Sequence, residues 1–281
     1  VCTHYDPKPR MSRFSRPHAH HAYSRMVARD DARVTETRVG ARSAAHLICA
    51  LRSAILENDS QMEFSMRDSM TPPALPSIEA LSTEAELRDI YAQPAKPVLD
   101  KVFPGLDKHS RRFIELSPFF CIGSSRPDGL GDVSPRGGEP GFVHVLDDRH
   151  LAFPDRPGNN RLDTLTNITH HPAVALLFFL PGIEEMLRLN GIARITTDEG
   201  LMTRFVHEGK RPRSVVLIET REVYFHCSKA LKRSDLWNPD KRVPKGAFPT
   251  LGQVARDQFK TLMPAKVIDF ALGLDAKKNL Y

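Results

Sequence analysis

The chain has 281 residues, 41% of them hydrophobic and 26% charged, with a formal net charge of +6; it can bury a core as one large domain or two small ones. Residues 1–52 hold 10 Lys/Arg against 4 Asp/Glu, and the remaining residues carry 30 of each sign. The basic balance therefore belongs to the leader, which removes the main support for nucleic-acid binding by the body.

Residues 1–65 carry nine Arg, scattered His and one apolar stretch at 44–51. They read as a basic, disordered leader, with organelle targeting or sequence upstream of the true start as alternatives. Residues 71–77 (TPPALPS) form a Pro-rich break. Cys2, Cys49, Cys121 and Cys227 make no CxxC pair, so free thiols in a reducing, cytoplasmic setting are expected and no metal site is assigned. The longest apolar run, Val174 to Leu180, is too short to span a bilayer.

Thr83 and Glu86 have capping-box spacing and predict a helix over 83–92; a second is predicted over 107–116. Residues 66–116 are thus an N-terminal helical segment, followed by a barrel domain over 117–240 and a partly helical extension over 241–281. Strands are expected at 119–125, 141–146 and 150–154, the last two joined as a hairpin through 147–149. DVSPRG (132–137) reads as a loop between strands. A helix over 161–171 is stopped by Pro172, a buried strand follows at 174–180, and long strands are expected at 186–197 and 214–227. Between those two, Asp198 is available to cap a helix over 198–207. Five to seven strands with close turns and short helices indicate a mainly β (α+β) chain built on an antiparallel barrel, not a doubly wound sheet.

Three polar segments carry the readable chemistry. Residues 154–161 (PDRPGNNR) place Arg156, Asn159, Asn160 and Arg161 where a helix begins, and helix starts attract anions. The alternative is a loop with an ordinary Asn cap. Ser134, Pro135 and Arg136 form the second segment, where a Pro at a sheet edge leaves neighbouring groups free for a ligand. The third, HCSKALKRSDLW, ends a strand with Lys229, Arg233 and the only Trp, Trp237; its alternative is a basic surface turn with Trp as a core plug. His170 and His171 are adjacent and diverge in a helix, so they make no metal pair. Glu184 and Glu185 read as a hairpin tip. His144 and His207 read as structural.

The order DVSPRG, GFVHVLDDRHLAFPDRPGNNRLDTLTNI, VALLFFL, LRLNGIARI, VYFHCSKALKRSDLW resembles the pyridoxamine 5'-phosphate oxidase-related flavoproteins. More narrowly it is similar to a branch of predicted flavin-nucleotide-binding proteins, over roughly residues 80–240. The resemblance implies a split β-barrel, a homodimer and FMN near the dimer interface. By the same resemblance, Asn160 and Arg161 hold the FMN phosphate, with Arg156 and Asn159 beside them. Ser134, Pro135 and Arg136 lie along the flavin ring or ribityl chain. Lys229, Arg233 and Trp237 match a distal element that reaches the cofactor from the partner subunit. The Arg-Leu-His-x-Arg-type C-terminal segment of the true oxidases is absent, since this chain ends PAKVIDFALGLDAKKNLY. The expectation is an FMN-dependent oxidoreductase of unknown small-molecule substrate. A flavin store or sensor without turnover, and a barrel using a deazaflavin coenzyme, are the alternatives.

Overall fold

The computed structural model describes residues 78–278 and Leu280. The basic leader, the break at 71–77, Cys2 and Cys49 lie outside these residues.

Three short helices precede the sheet: α1 (Glu84–Ile90), α2 (Lys96–Asp100) and α3 (Lys108–Leu116). The capping box forms at α1, where the Thr83 side chain accepts from the Glu86 amide and the Glu86 carboxylate accepts from the Thr83 amide. Asp107 caps α3 by accepting from the Ser110 amide at 2.8 Å, and these backbone and hydroxyl donors hold its carboxyl below the usual range. Phe113 and Ile114 on α3 are buried in the core, and Phe113 meets Phe225 edge-on at 5.5 Å.

Seven strands follow: β1 (Phe119–Ser125), β2 (Gly131–Gly137), β3 (His144–Val145), β4 (His150–Asp155), β5 (Ala173–Phe179), β6 (Met186–Thr196) and β7 (Ser214–His226). They form one antiparallel sheet in the order β2-β1-β5-β6-β7-β4-β3. Helix α4 (Asp163–His170) connects β4 to β5, and α5 (Glu199–Thr203) connects β6 to β7. After β7 come α6 (Lys229–Ser234), α7 (Leu251–Gln258) and α8 (Ala265–Lys278).

The sheet is curled. Phe120 on β1 and Phe153 on β4 are separated by three strands, which in a flat sheet is about 19 Å. Their rings meet edge-on at 5.1 Å. Phe142 and Phe178 pack on the same Phe120 ring at 5.7 and 4.9 Å. Closure follows from the alternation of β1, which turns Phe120, Ile122 and Ser124 inward. Strand β4 is buried on both faces, as its near-continuous apolar run requires. Leu151 and Phe153 enter the main core, while Ala152 joins Met202, Phe205 and Val215 in a smaller cluster built around α5.

The pairing of β6 with β7 shifts register at Asn190 and Gly191. A Cβ on Gly191 would stand 2.5 Å from the Glu219 carbonyl oxygen, so only glycine lets the strands approach this closely.

Several sequence expectations are corrected. DVSPRG is not a loop: it lies within β2, an edge strand on which Pro135 stands opposite Cys121. An edge tolerates Pro because one side has no ladder to satisfy. The strand expected at 141–146 shrinks to His144–Val145, because Gly141, at φ 89, turns the preceding chain. The helix expected at 161–171 starts only at Asp163, since Asn160 and Leu162 are left-handed (φ 63 and 60). The helix expected over 198–207 covers Glu199–Thr203, with Asp198 capping it through the Leu201 amide. The basic segment after β7 is a helix, α6, instead of a turn, and Trp237 is half-buried beside it.

Candidate cofactor site

Strand β2 begins the sheet order and β4 stands sixth, yet Arg136 Nη1 lies 3.9 Å from Asp155 Oδ1. That approach marks a seam where the barrel's ladder is split. Along β2, Asp132, Ser134 and Arg136 point inward while Val133 and Pro135 face outward. The inward residues are polar because they line an opening instead of the core.

A cavity of ≈ 540 Å³ lies at this seam. It is lined by β2 (132–136), the segment Asp155 to Arg161, the start of α4, and Arg213 with Ser214 at the start of β7. Its volume falls within the ~300–1,000 Å³ usual for small-molecule sites. Ser134, Pro135, Arg136, Arg156, Asn159, Asn160 and Arg161 all line it.

The cavity's cations come from separate elements. Arg213 donates to Asn160 Oδ1 at 2.9 Å, and Arg161 pairs with Asp163 at 2.8 Å. Arg161 is also held by its backbone amide, which donates to Asn159 Oδ1 at 3.1 Å. Arg156 donates to the Phe205 carbonyl at 3.0 Å, tying the segment to the chain beyond α5. Arg136 Nε is buried without a hydrogen-bond partner, although its Nη1 faces Asp155. An unpaired buried donor of this kind is costly unless a ligand meets it. Burial pushes the Asp155 carboxyl up, opposed by Arg136 and Arg213. Four arginines thus face three acids, Asp132, Asp155 and Asp163.

The helix start on this cavity is unusual. The N-cap of α4 is Leu162, which is left-handed and makes no side-chain cap bond. An ordinary Asn cap is therefore not formed, and the positive end of the helix faces the cavity without one. A left-handed Leu costs roughly 1–2 kcal/mol, the sort of strain that collects at ligand sites. Below the cavity, Asp132 Oδ2 accepts from Ser124 Oγ (3.2 Å), Thr164 Oγ1 (3.4 Å) and Asn167 Nδ2 (3.3 Å), locking β1, β2 and α4 together.

Lys229, Arg233 and Trp237 do not line this cavity. They follow the far end of β7, while Ser214 at its near end lines the site. There Trp237 Nε1 donates to the Ile183 carbonyl at 2.9 Å, and Lys232 pairs with Glu184 at 3.2 Å. Arg213 and Asp155 were missed as site residues. The only sequence signal for Arg213 is the Arg-Pro-Arg run opening β7, which reads equally well as a solvated turn.

The family model for pyridoxamine 5'-phosphate oxidase matches residues 106–227. This segment belongs to the pyridoxamine 5'-phosphate oxidase-like split-barrel family. Solved structures similar to this chain include HupZ of Group A Streptococcus, at 14% identity over 43% of this chain and 93% of that one, with a TM-score of 0.37. An F420 reductase is 20% identical over 43% of this chain and 98% of its own, with a TM-score of 0.32. A Clostridium acetobutylicum protein related to general stress protein 26 is 10% identical over 42% and 85%, with a TM-score of 0.32. No curated protein matches the sequence. Among the described residues, no helix is long and apolar enough to cross a membrane.

Proposed function

We propose that this pyridoxamine 5'-phosphate oxidase-like chain binds FMN in the seam cavity and works as an oxidoreductase on a small organic molecule. The observation that carries the reading is the convergence, in one cavity, of arginines from β2, the 155–161 segment and the start of β7 on a helix start without a side-chain cap. A phosphate dianion is well matched by charge-assisted donors of this kind. The residues fit FMN in two further respects. The cavity has the volume for a ligand of this size class, and the buried, unpartnered Arg136 Nε offers a donor away from the phosphate end.

In this reading Arg161 and Arg213 hold the phosphate, with Asn160 oriented between them by the Arg213 bond. Arg156 and Asn159 shape the loop beside them. Ser134, Pro135 and Arg136 lie along the ring or ribityl chain. FMN, when bound, supplies a two-electron acceptor for a small organic donor. A cation such as Arg136 beside the ring favours the negative charge that reduction places there. Because Lys229, Arg233 and Trp237 lie away from this cavity, any contact they make with the cofactor comes from a second copy, so the proposal includes a homodimer.

The purified protein is expected to be yellow, to show flavin absorption bands and to release about one FMN per chain on denaturation. Colourless protein that takes up no added FMN overturns the reading. Anaerobic bleaching by amines, NADH or NADPH then separates an oxidoreductase, which bleaches with at least one donor, from a flavin store, which bleaches with none.

A further inference from the structure

A second cavity, of ≈ 430 Å³, lies against the first and shares Pro135, Arg136, Arg156, Pro157 and Gly158 with it. Its remaining walls come from residues 137–142, His144 on β3, Pro154, the segment after α5 and Leu280. Two features set it apart from a solvent-filled groove. Its aromatic lining is the His144 ring, which stacks on the buried Phe205 with centroids 4.1 Å apart and planes at 26°, and the half-buried Phe142. It also holds a cationic group open to an anion: Arg204 is exposed and makes no hydrogen bond or ion pair through its side chain among the described residues.

The geometry points to this second cavity as the substrate subsite, taking a small planar carboxylate against the His144 and Phe142 rings with its anionic group on Arg204. The inference rests on FMN occupying the neighbouring cavity, since the shared wall at Arg136 and Arg156 would bring the two ligands side by side. A ring stacks favourably on the face of His144 turned away from Phe205, beside Phe142. Among the described lining residues Glu139 is the one acid, against Arg136, Arg156 and Arg204, so an anion is preferred over a cation. His144 is held below the usual imidazole range by burial, and Arg204 lowers it further. It therefore stands uncharged at neutral pH and presents one donor and one acceptor nitrogen to the substrate. Neither nitrogen is hydrogen-bonded among the described residues. His144 and Arg204 are thus assigned as specificity residues, a role distinct from holding the flavin phosphate.

The test uses the full chain loaded with FMN, with loading read from flavin absorbance and probe binding read by calorimetry. Benzoate, phenyl phosphate and uncharged benzamide are the probes. Benzoate is expected to bind more tightly than benzamide, and Arg204→Gln is expected to weaken benzoate about tenfold or more while leaving benzamide unchanged, the scale of one charge-assisted hydrogen bond. FMN loading should be the same in both proteins. Equal binding of benzoate and benzamide, or an unchanged benzoate affinity in Arg204→Gln, overturns the proposal. Tighter binding of phenyl phosphate than of benzoate overturns the carboxylate assignment. A chain that takes up no FMN contradicts the cofactor reading instead, and the absorbance reports that separately.

Discussion

Replacing Phe120 with Ala is expected to lower the free energy of unfolding by about 3–5 kcal/mol. Phe120 is fully buried, and the rings of Phe142, Phe153 and Phe178 surround it at 5.7, 5.1 and 4.9 Å. Truncation loses the transfer energy of the ring and leaves a cavity that rigid strands on both sides cannot collapse into. The loss is a large part of the roughly 5–15 kcal/mol by which a domain is ordinarily stable. Urea unfolding measures it, with Phe119→Ala as the control, because Phe119 points outward and is 39% exposed. Phe119→Ala should cost much less. Equal losses would mean that the sheet is not closed on Phe120. The effect extends to the site: the contacts that draw β4 toward β1 also bring Asp155 to Arg136, so FMN affinity should fall in whatever Phe120→Ala protein remains folded.

Replacing Arg161 with Ala is expected to weaken FMN binding by about 1.5–3 kcal/mol, the usual loss for one hydrogen bond to a charged group. Stability should hardly change, since the Arg161–Asp163 pair is exposed, with side-chain accessibilities of 76% and 50%. Riboflavin supplies the internal control because it lacks the phosphate. A fluorescence titration should show FMN weakened and riboflavin unaffected. Equal weakening of both ligands would place Arg161 at the ring, and no change in either would move the phosphate to another part of the cavity.

The fold was largely readable because its core strands carry their apolar residues in the expected period. β6 and β7 alternate over long runs, and β5 is a short apolar block bounded by Pro172 and Pro181. β2 escaped notice for a physical reason. Its inward positions are Asp132, Ser134 and Arg136, so the alternation that normally marks a strand is written in polar residues. It looks like a loop because it faces a cavity. The short β3 was overestimated for the opposite reason: Phe142 and Val143 are apolar, yet they pack from a turn without joining the ladder.

The candidate site was legible only in part. The run from Arg156 to Arg161 is local in sequence, and its crowding of Arg and Asn at a helix start can be read directly. Arg213 is distant in the chain and reaches the site only through the pairing of β4 with β7, in which Asp155 stands opposite Ser214. The second cavity depends on the same kind of long-range contact. His144 lies on β3 and Phe205 follows α5, and nothing in either local sequence announces that the two rings stack.

The position of the phosphate in a crystal structure of the FMN-soaked protein decides whether the seam is the cofactor site. Phosphate density is expected at the seam, contacting Arg161 and Arg213 beside the first turn of α4, with the flavin ring running toward Arg136. Density for FMN at any other place on the chain, with the seam cavity holding none, would contradict it.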